Sequence, residues 1–224
     1  MCVGRHLTMT ITPSLSSAAD ATRATAPPCV LELQACYRSY GPVLALAPIT
    51  LRVQRGAVCT VTGPNGSGKT TLLRIAAGLL KPSGGARTGD EPALYAAAGD
   101  GARASQTVGQ AVAVAAALGG GDVEEAIELA GLSALRTSTV GELSAGQRTR
   151  VTLATVLAGN PAIACLDEPD AHLDADGRRC AAGVVDRLAR RGAAVLIATH
   201  DRRWLEERQD GHLELSPSRG GSGD

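Results

Sequence analysis

The residues whose types and spacing best fit a chemical task lie together in one glycine-rich stretch. The stretch reads Gly63-Pro64-Asn65-Gly66-Ser67-Gly68-Lys69-Thr70-Thr71 and fits the pattern G-x-x-x-x-G-K-[ST]. Glycines let backbone N–H groups turn inward and form a nest that binds an anion. Lys69 would reach the β- and γ-phosphates of a nucleotide, and the Thr70 hydroxyl would bind Mg²⁺. The stretch therefore predicts a nucleotide site that includes a magnesium ion.

The segments on either side of this stretch decide whether the match is accidental. Residues 58–62 are apolar or β-branched and predict a strand. After the stretch, apolar residues recur at helical spacing until Lys81-Pro82, which is expected to stop the helix. Residues 84–90 then predict a loop and 93–96 a short strand. An accidental match to the pattern has a chance of roughly a few per cent at most, and a strand and a helix on its two sides lower that chance further.

Polar groups also follow two apolar runs that predict buried strands. Asp167 and Glu168 come after residues 163–166, and His200 comes after 193–199. Because parallel strands present their carboxyl ends at one edge of a sheet, we expect these groups beside the glycine-rich stretch. There Asp167 suits the outer coordination sphere of Mg²⁺, and Glu168 suits polarising a water molecule. Taken singly, a surface turn for the carboxylates and a capping or packing role for the histidine are the alternatives.

A further polar segment stands at the start of a predicted helix. Leu143-Ser144-Ala145-Gly146-Gln147 precedes a helical repeat of small and apolar residues. Ser144 is therefore placed as the N-cap, and a helix start of this kind can receive a phosphate group. Ordinary capping explains the same serine when the segment is considered alone.

Length and composition restrict the classes of protein to consider. The 224 residues, 44% of them apolar, suffice for one large or two small domains, and the core must be aliphatic because there is no Phe. A formal net charge of zero gives no electrostatic argument for binding nucleic acid. The six cysteines lack C-x-x-C spacing, which favours reduced core thiols over a metal site. No apolar run approaches the ~20 residues that span a bilayer, so a role at a membrane needs a partner.

The distribution of these features gives the expected organisation of the chain. Residues 1–28 are rich in Ser, Thr and Ala and predict a disordered extension. The alternation of short strands and helices predicts an α/β domain over 29–215, interrupted by a helical insert at about 107–143. Residues 216–224 are rich in Gly and Ser and predict a disordered tail.

These motifs, in this order, resemble those of the ATP-binding cassette (ABC) ATPase family over roughly residues 30–215. Residues 63–71 resemble the Walker A motif, 143–147 the LSGGQ signature, 163–168 Walker B with its catalytic glutamate, Leu173-Asp174 the D-loop, His200 the switch histidine, and Tyr40 the aromatic residue that stacks on adenine. The resemblance implies a P-loop NTPase fold of the α/β class. Its mainly parallel sheet would be flanked by helices, with a small antiparallel β-subdomain and an inserted helical subdomain.

The resemblance also implies a mechanism. Two cassettes would meet head to tail, with each ATP between Walker A of one chain and the signature of the other. The residues implied to contact the nucleotide are Tyr40, all of residues 63–71, Ser144, Gly146, Gln147 and Asp174; those implied in catalysis are Lys69, Glu168 and His200; those implied at Mg²⁺ are Thr70 and Asp167. The implied partners are a second cassette, identical or paralogous, and a transmembrane permease. Through the permease this chain would be a cytoplasmic protein held peripherally at the inner face of the cell membrane.

Four features of the sequence depart from the family pattern. In the family a glutamine follows the next strand after the Walker A helix. The corresponding position in this chain is Ala98 or Gly99, so the glutamine is missing there, and Gln106 is a displaced candidate for it. The β-subdomain between residues 85 and 95 is short. Ala145 replaces a signature glycine, which is tolerable if its φ is negative, and His172 stands where a small D-loop residue is common. The missing glutamine bears on hydrolysis and on coupling to the partner.

Three functions remain for this pattern. The leading hypothesis is the ATPase subunit of a multi-component ABC transporter, similar to small export cassettes that include the haem exporters of cytochrome c maturation. The alternatives are a soluble, non-transport ABC ATPase and a weakly active nucleotide-dependent regulator. The sequence contains neither the basic linker of translation factors nor the coiled-coil insertions of repair members. A role in iron–sulfur assembly is compatible with it.

Overall fold

In the part of the chain that a computed structural model describes, the protein forms two β-sheets and five α-helices. The structure describes residues 7–12, 28–89 and 91–217, except for the side chains of residues 7, 8, 206 and 207. The strands are β1 (Leu7–Ile11), β2 (Cys29–Tyr40), β3 (Val43–Gln54), β4 (Val58–Thr62), β5 (Gly84–Thr88), β6 (Ala93–Ala97), β7 (Ile163–Asp167), β8 (Ala194–Ala198) and β9 (Gly211–Glu214). The helices are α1 (Lys69–Ala76), α2 (Val108–Gly119), α3 (Val123–Leu129), α4 (Ala145–Ala158) and α5 (Ala175–Arg190).

The larger sheet is parallel throughout and positions the predicted site. Its strand order is β6-β7-β8-β4-β9. Asp167 at the end of β7 is paired with Ala198 at the end of β8, while Val61 near the end of β4 is also paired with Ala198. The carboxyl ends of β4, β7 and β8 therefore lie at one edge, where the chain continues into the glycine-rich loop, Glu168 and His200.

Both faces of this sheet are covered, which explains the continuous apolar runs in its central strands. Every residue of β7 and β8 is buried. Helices α2, α4 and α5 pack on one face, and α1 together with the second sheet packs on the other. Strands buried on two faces need apolar residues at every position. Aliphatic side chains fill both layers, as the absence of Phe requires.

The second sheet has the order β1-β3-β2-β5 and contains a strand within a predicted disordered extension. β1 pairs in parallel with β3, and Ile11 is only 1% exposed. The prediction of disorder over 1–28 is therefore wrong for Leu7–Ile11, where Leu, Met and Ile alternate with Thr and can bury one face. Residues 1–6 and 13–27 of that predicted extension lie outside the described residues.

Two further local predictions need correction. Residues 84–90 do not form only a loop, because β5 (Gly84–Thr88) pairs antiparallel with β2 and supplies the backbone hydrogen bonds that its small residues need. Helix α1 ends at Ala76 rather than near Lys81. Gly78, with φ +76°, adopts the left-handed conformation that commonly ends helices, and Leu79 is left 68% exposed.

The helical segment between β6 and α4 packs against the core on the α4 side. It consists of α2, α3 and two short 3₁₀ turns at Ser133–Leu135 and Val140–Glu142. Glu125 on α3 forms ion pairs with Arg187 of α5 and with Arg191 directly after that helix, and these pairs fasten the segment to the core. Among the residues described, no helix has both the length and the apolar character needed to cross a membrane.

Candidate functional site

The glycine-rich loop connects β4 to α1 and folds around its own lysine. Lys69 is the first residue of α1 and is 7% exposed. Its Nζ donates hydrogen bonds to the carbonyl oxygens of Gly63, at 2.7 Å, and Pro64, at 3.3 Å. An ammonium group has three N–H donors, and the buried charge is held at the mouth of the loop. A phosphate group placed in the loop would meet this charge.

Two glycines of the loop stand where no side chain fits. A Cβ at Gly63 would lie 2.4 Å from the carbonyl oxygen of Leu215, and one at Gly68 would lie 2.5 Å from that of Ala45. Gly68 also has φ +97° and is the N-cap of α1, without a capping side chain. The first N–H groups of α1 are therefore free of a side-chain cap, as an anion site at a helix N-terminus requires.

Ser67 supplies an independent indication that the loop is built for a ligand. Its side chain is buried, and its Oγ has no hydrogen-bond partner within the described part of the chain. A buried hydroxyl without a partner is costly. A phosphate oxygen bound in the loop would satisfy it, so the residues present fit the phosphates of a nucleotide.

The two predicted magnesium ligands are in direct contact. Thr70 Oγ1 donates to Asp167 Oδ2 at 2.7 Å, and Asp167 is 9% exposed. Oxygen atoms are the ligands that Mg²⁺ prefers. Across the described residues, no group of three or more His, Cys, Asp or Glu side chains is arranged so that it could hold a metal ion. A magnesium ion here would therefore take its remaining ligands from phosphate oxygens and water, as is usual at nucleotide sites.

Glu168 and His200 meet at the same edge of the sheet. His200 Nε2 lies 3.0 Å from Glu168 Oε1, and about half of each side chain is exposed. Glu168 adopts φ +52°, and its backbone N–H is bonded to the carbonyl of Ala198 at 2.8 Å. A left-handed conformation is unfavourable for glutamate and is maintained here by the surrounding structure. The result is a solvent-facing carboxylate next to the Thr70–Asp167 pair.

The signature segment forms a complete helix cap of its own. Ser144 Oγ accepts from the N–H of Gln147, and Gln147 Oε1 accepts from the N–H of Ser144. Ala145 lies inside α4 and is not among the residues with positive φ, which agrees with the expected tolerance for its methyl group. Gly146 cannot carry a side chain in this way, because a Cβ there would lie 2.6 Å from the carbonyl oxygen of His172.

The signature segment and the glycine-rich loop do not meet within one chain. Within the described part of the chain, no hydrogen bond joins residues 143–147 to residues 63–71. Ser144 is exposed. The structure thus brings together the Walker A, Walker B and switch residues and leaves the signature separate.

The remaining predicted nucleotide contacts lie at the surface. Tyr40 is the last residue of β2 and is 51% exposed, with the guanidinium of Arg38 4.5 Å from its ring centroid. Asp174 is exposed and caps α5 by accepting the N–H of Gly177 at 2.7 Å. The adenine contact of Tyr40 and the nucleotide contact of Asp174 stay predictions.

The region of the missing glutamine follows β6 directly. Ala98 donates its N–H to the carbonyl of Asp167, and Gly99 has φ +78°. Gln106, the displaced candidate, is engaged elsewhere, since its Oε1 accepts the N–H of Arg103.

A tyrosine that the motifs did not single out contacts the site instead. The hydroxyl of Tyr95 donates to Asp167 Oδ2 at 2.9 Å. The available signal in the sequence was a tyrosine in the otherwise alanine-rich strand β6. That signal does not identify Asp167 as the partner of the tyrosine, because the contact depends on the pairing of β6 with β7.

Comparison with known proteins identifies the family of the chain. The family pattern described as ABC transporter matches residues 46–171. The cytochrome c biogenesis ATP-binding export protein CcmA of Cereibacter sphaeroides is 40% identical over 187 residues, 83% of this chain and 87% of that protein. The zinc import ATP-binding protein ZnuC of Roseobacter denitrificans is 34% identical, over 72% of this chain and 66% of its own.

Solved structures show the same fold. The dimeric structure of MJ0796, a bacterial ABC transporter cassette, superimposes with a TM-score of 0.74 at 22% identity, over 84% of this chain and 94% of that one. The α/β P-loop architecture predicted from the sequence is thereby confirmed. Since the family pattern covers more than half of the chain and the CcmA relative is 40% identical over 83% of it, the protein belongs to the ABC transporter family as an ATP-hydrolysing, ATP-binding subunit.

Proposed function

We propose that this subunit powers a separate membrane permease by pairing head to tail with a second cassette, with MgATP bound at each interface. The observation that carries the proposal is the division of the site. Residues 63–71, Asp167, Glu168 and His200 are assembled at one sheet edge, whereas the signature at Ser144 is exposed and apart from them. A second chain in the reverse orientation can supply the missing signature.

Residues of the loop bind and orient the nucleotide in this proposal. Lys69 exchanges its bonds to the Gly63 and Pro64 carbonyls for bonds to phosphate oxygens, and Ser67 Oγ gains a partner. Thr70 and Asp167 hold Mg²⁺, which supplies positive charge that offsets the charge of the β- and γ-phosphates. The N-terminus of α1 adds its dipole to the same phosphates.

Glu168 and His200 act on the attacking water. Glu168 orients the water and accepts its proton as the water oxygen bonds to the γ-phosphorus and the bond to the ADP oxygen breaks. His200, 3.0 Å from Glu168, keeps the carboxylate in place and contacts the γ-phosphate. Loss of the γ-phosphate removes the group that bridges the two chains, so the pair opens.

A groove beside the missing glutamine suits contact with the permease. It encloses about 500 Å³ between α2, α4 and β6 and reaches Asp100 and Gly101, which follow Ala98 and Gly99. Val114 and Leu118 on its rim are 52% and 86% exposed. Exposed apolar side chains around a concave surface are typical of a protein interface. We place an apolar cytoplasmic segment of the permease here, which would hold the chain at the inner face of the cell membrane.

The relatives suggest the kind of transporter. CcmA is named as an export protein of cytochrome c biogenesis, and we propose a similar export role for the complex that contains this chain. A weakly active nucleotide-dependent regulator is the second candidate. The small residues Ala98 and Gly99, where the family has glutamine, favour it.

Co-purification in detergent separates these candidates. The tagged chain should retain a membrane protein with apolar spans of about 20 residues. The double variant Val114→Asp/Leu118→Asp should recover roughly tenfold less of that membrane protein, or less still, because it places two charges in the groove. Leu79→Asp is the matched control, since Leu79 is 68% exposed but lies at the end of α1. Recovery of no membrane protein by the wild-type chain would leave the regulator as the better account.

A further inference from the structure

The pairing of β6 with β7 brings Tyr95 to the face of the sheet that carries the Asp167 side chain. Tyr95 pairs with Cys165 and Ala97 with Asp167, in parallel register. Side chains two positions apart on a strand share a face, so Tyr95 and Asp167 both point towards the layer that contains α1. This diagonal arrangement places the Tyr95 hydroxyl 2.9 Å from Asp167 Oδ2.

The same carboxylate oxygen accepts two hydroxyl groups from different elements. Thr70 Oγ1 donates to Asp167 Oδ2 at 2.7 Å from the start of α1, and Tyr95 donates from β6. Two donors on one oxygen restrict rotation of the carboxylate. Hydrogen bonds of this kind to metal ligands orient them, and their loss weakens metal binding.

Tyr95 is itself held in place by α1. The guanidinium of Arg74 lies 5.4 Å from the centroid of its ring. Arg74 is one helical turn beyond Thr70, so both contacts to the Tyr95–Asp167 pair come from one helix. A tyrosine hydroxyl carries its proton at neutral pH, so the phenol is the donor in the hydrogen bond to Asp167.

We propose that Tyr95 is a positioning residue that holds Asp167 in the orientation required to bind Mg²⁺ together with Thr70. The inference rests on the proposed function of those two residues as magnesium ligands. Tyr95 contacts the site from the strand that leads to Ala98 and Gly99, where the family's glutamine is missing. The magnesium site thus keeps a polar contact from β6 through the tyrosine.

The variant Tyr95→Phe tests this role because it keeps the ring and removes only the hydroxyl. Binding of a fluorescent ATP analogue is titrated with Mg²⁺, and its affinity in EDTA is measured separately. We expect the Mg²⁺ concentration at half-saturation to rise roughly tenfold, with the affinity in EDTA and the melting temperature almost unchanged. Tyr37→Phe is the matched control, since Tyr37 lies on β2 away from Asp167, and it should change neither quantity.

The possible outcomes distinguish this inference from the proposal beneath it. A wild-type chain whose analogue binding ignores Mg²⁺ would contradict the roles of Thr70 and Asp167 themselves. A magnesium-dependent wild type with an unchanged Tyr95→Phe variant would overturn only the inference. A variant that loses analogue affinity in EDTA as well would assign Tyr95 to packing and would equally overturn it.

Discussion

The glycine-rich loop and the signature segment are both starts of helices, yet the chain treats them differently. At α1 the N-cap is Gly68, which has no side chain to satisfy the first N–H groups. At α4 the N-cap is Ser144, and it forms a reciprocal pair of hydrogen bonds with Gln147. The first helix start is shaped around a ligand by its own chain. The second is stable without one and faces outward.

The packing behind the two helix starts carries the same contrast. The loop is fixed from behind by the carbonyls of Ala45 and Leu215, which exclude a side chain at Gly68 and Gly63. At the signature only Gly146 is so restricted, by the carbonyl of His172. In the proposed function, one chain provides the phosphate loop and a second chain provides the exposed helix start, so that a complete site forms only between two chains.

The largest effect is expected from Lys69→Ala, which removes the buried cation of the loop. Without this charge the phosphates lose their main electrostatic partner, so ATP hydrolysis should fall by at least about 100-fold and nucleotide affinity should fall with it. Steady-state phosphate release and equilibrium binding measure the two losses. Lys81→Ala is the control, because Lys81 is the chain's other lysine. A Lys69→Ala chain that keeps its full affinity for the nucleotide would contradict the phosphate-binding role of the glycine-rich loop.

A glycine pair in the loop tests how far its shape is fixed from behind. Gly66 and Gly68 have φ +79° and +97°, so alanine at either position costs about 1–2 kcal/mol of folding free energy. At Gly68 the methyl group also meets the Ala45 carbonyl, whereas nothing described lies within 4 Å at Gly66. Gly68→Ala should therefore lower the free energy of unfolding, measured with urea, by about 1–3 kcal/mol more than Gly66→Ala does. Equal losses would show that the loop is not braced at Gly68.

The location of the candidate site could be predicted from the sequence because each of its polar groups follows a strand of strong apolar character. Asp167, Glu168 and His200 were expected at one sheet edge, and the parallel register places them there. The contact of Tyr95 with Asp167 was not predictable, because it depends on which strand lies beside β7. That neighbour is set by the whole fold.

The weaker elements show the same limit. Leu7–Ile11 is five residues long, and its alternation becomes decisive only through its pairing with β3. The segment Gly84–Thr88 has little strand preference of its own and forms β5 because β2 offers it hydrogen bonds. Local patterns identify elements that are buried on two faces. Edge strands are determined by their neighbours.

A smaller effect is expected at the signature cap. Ser144→Ala should cost about 1 kcal/mol of folding free energy, because the N–H of Gln147 loses its acceptor. Thr107→Ala removes the same type of reciprocal cap from α2, where Thr107 and Gln110 form it. Both variants should unfold at similarly reduced urea concentrations. Only Ser144→Ala should also weaken ATP-dependent pairing, and identical pairing of the two variants would argue against a signature contact.

The smallest effect concerns the turn between β7 and α5, which follows Glu168 and places the His172 carbonyl against Gly146. Asp170 Oδ1 accepts from Thr199 Oγ1 at 2.8 Å, and burial raises the pKa of this carboxyl, although Thr199 and Arg178 act against the rise. A raised folded-state pKa stabilises the protein below the unfolded pKa, and this contribution is lost as pH rises through the folded value. Asp170→Asn keeps the acceptor and cannot ionise.

The melting temperature of Asp170→Asn should therefore exceed that of the wild type at neutral pH, by no more than about 2 °C. The difference should shrink as the pH falls towards 4 and vanish below about pH 3, where an aspartate with the ordinary pKa of about 3.9 is protonated in both states. Thermal unfolding of both chains across this range checks the sign. A wild-type advantage at neutral pH would show that the ionised carboxylate is stabilised in the folded turn.

The most direct test of the divided site is the mass of the Glu168→Gln variant in saturating MgATP, measured by light scattering after gel filtration. The variant keeps the loop and the signature but slows hydrolysis, so the bridging nucleotide should persist. We expect twice the 22.7 kDa of one chain, and a return to the single mass when Ser144→Arg is added. A Glu168→Gln chain that stays at 22.7 kDa, or a pair that is indifferent to Ser144→Arg, would contradict the account.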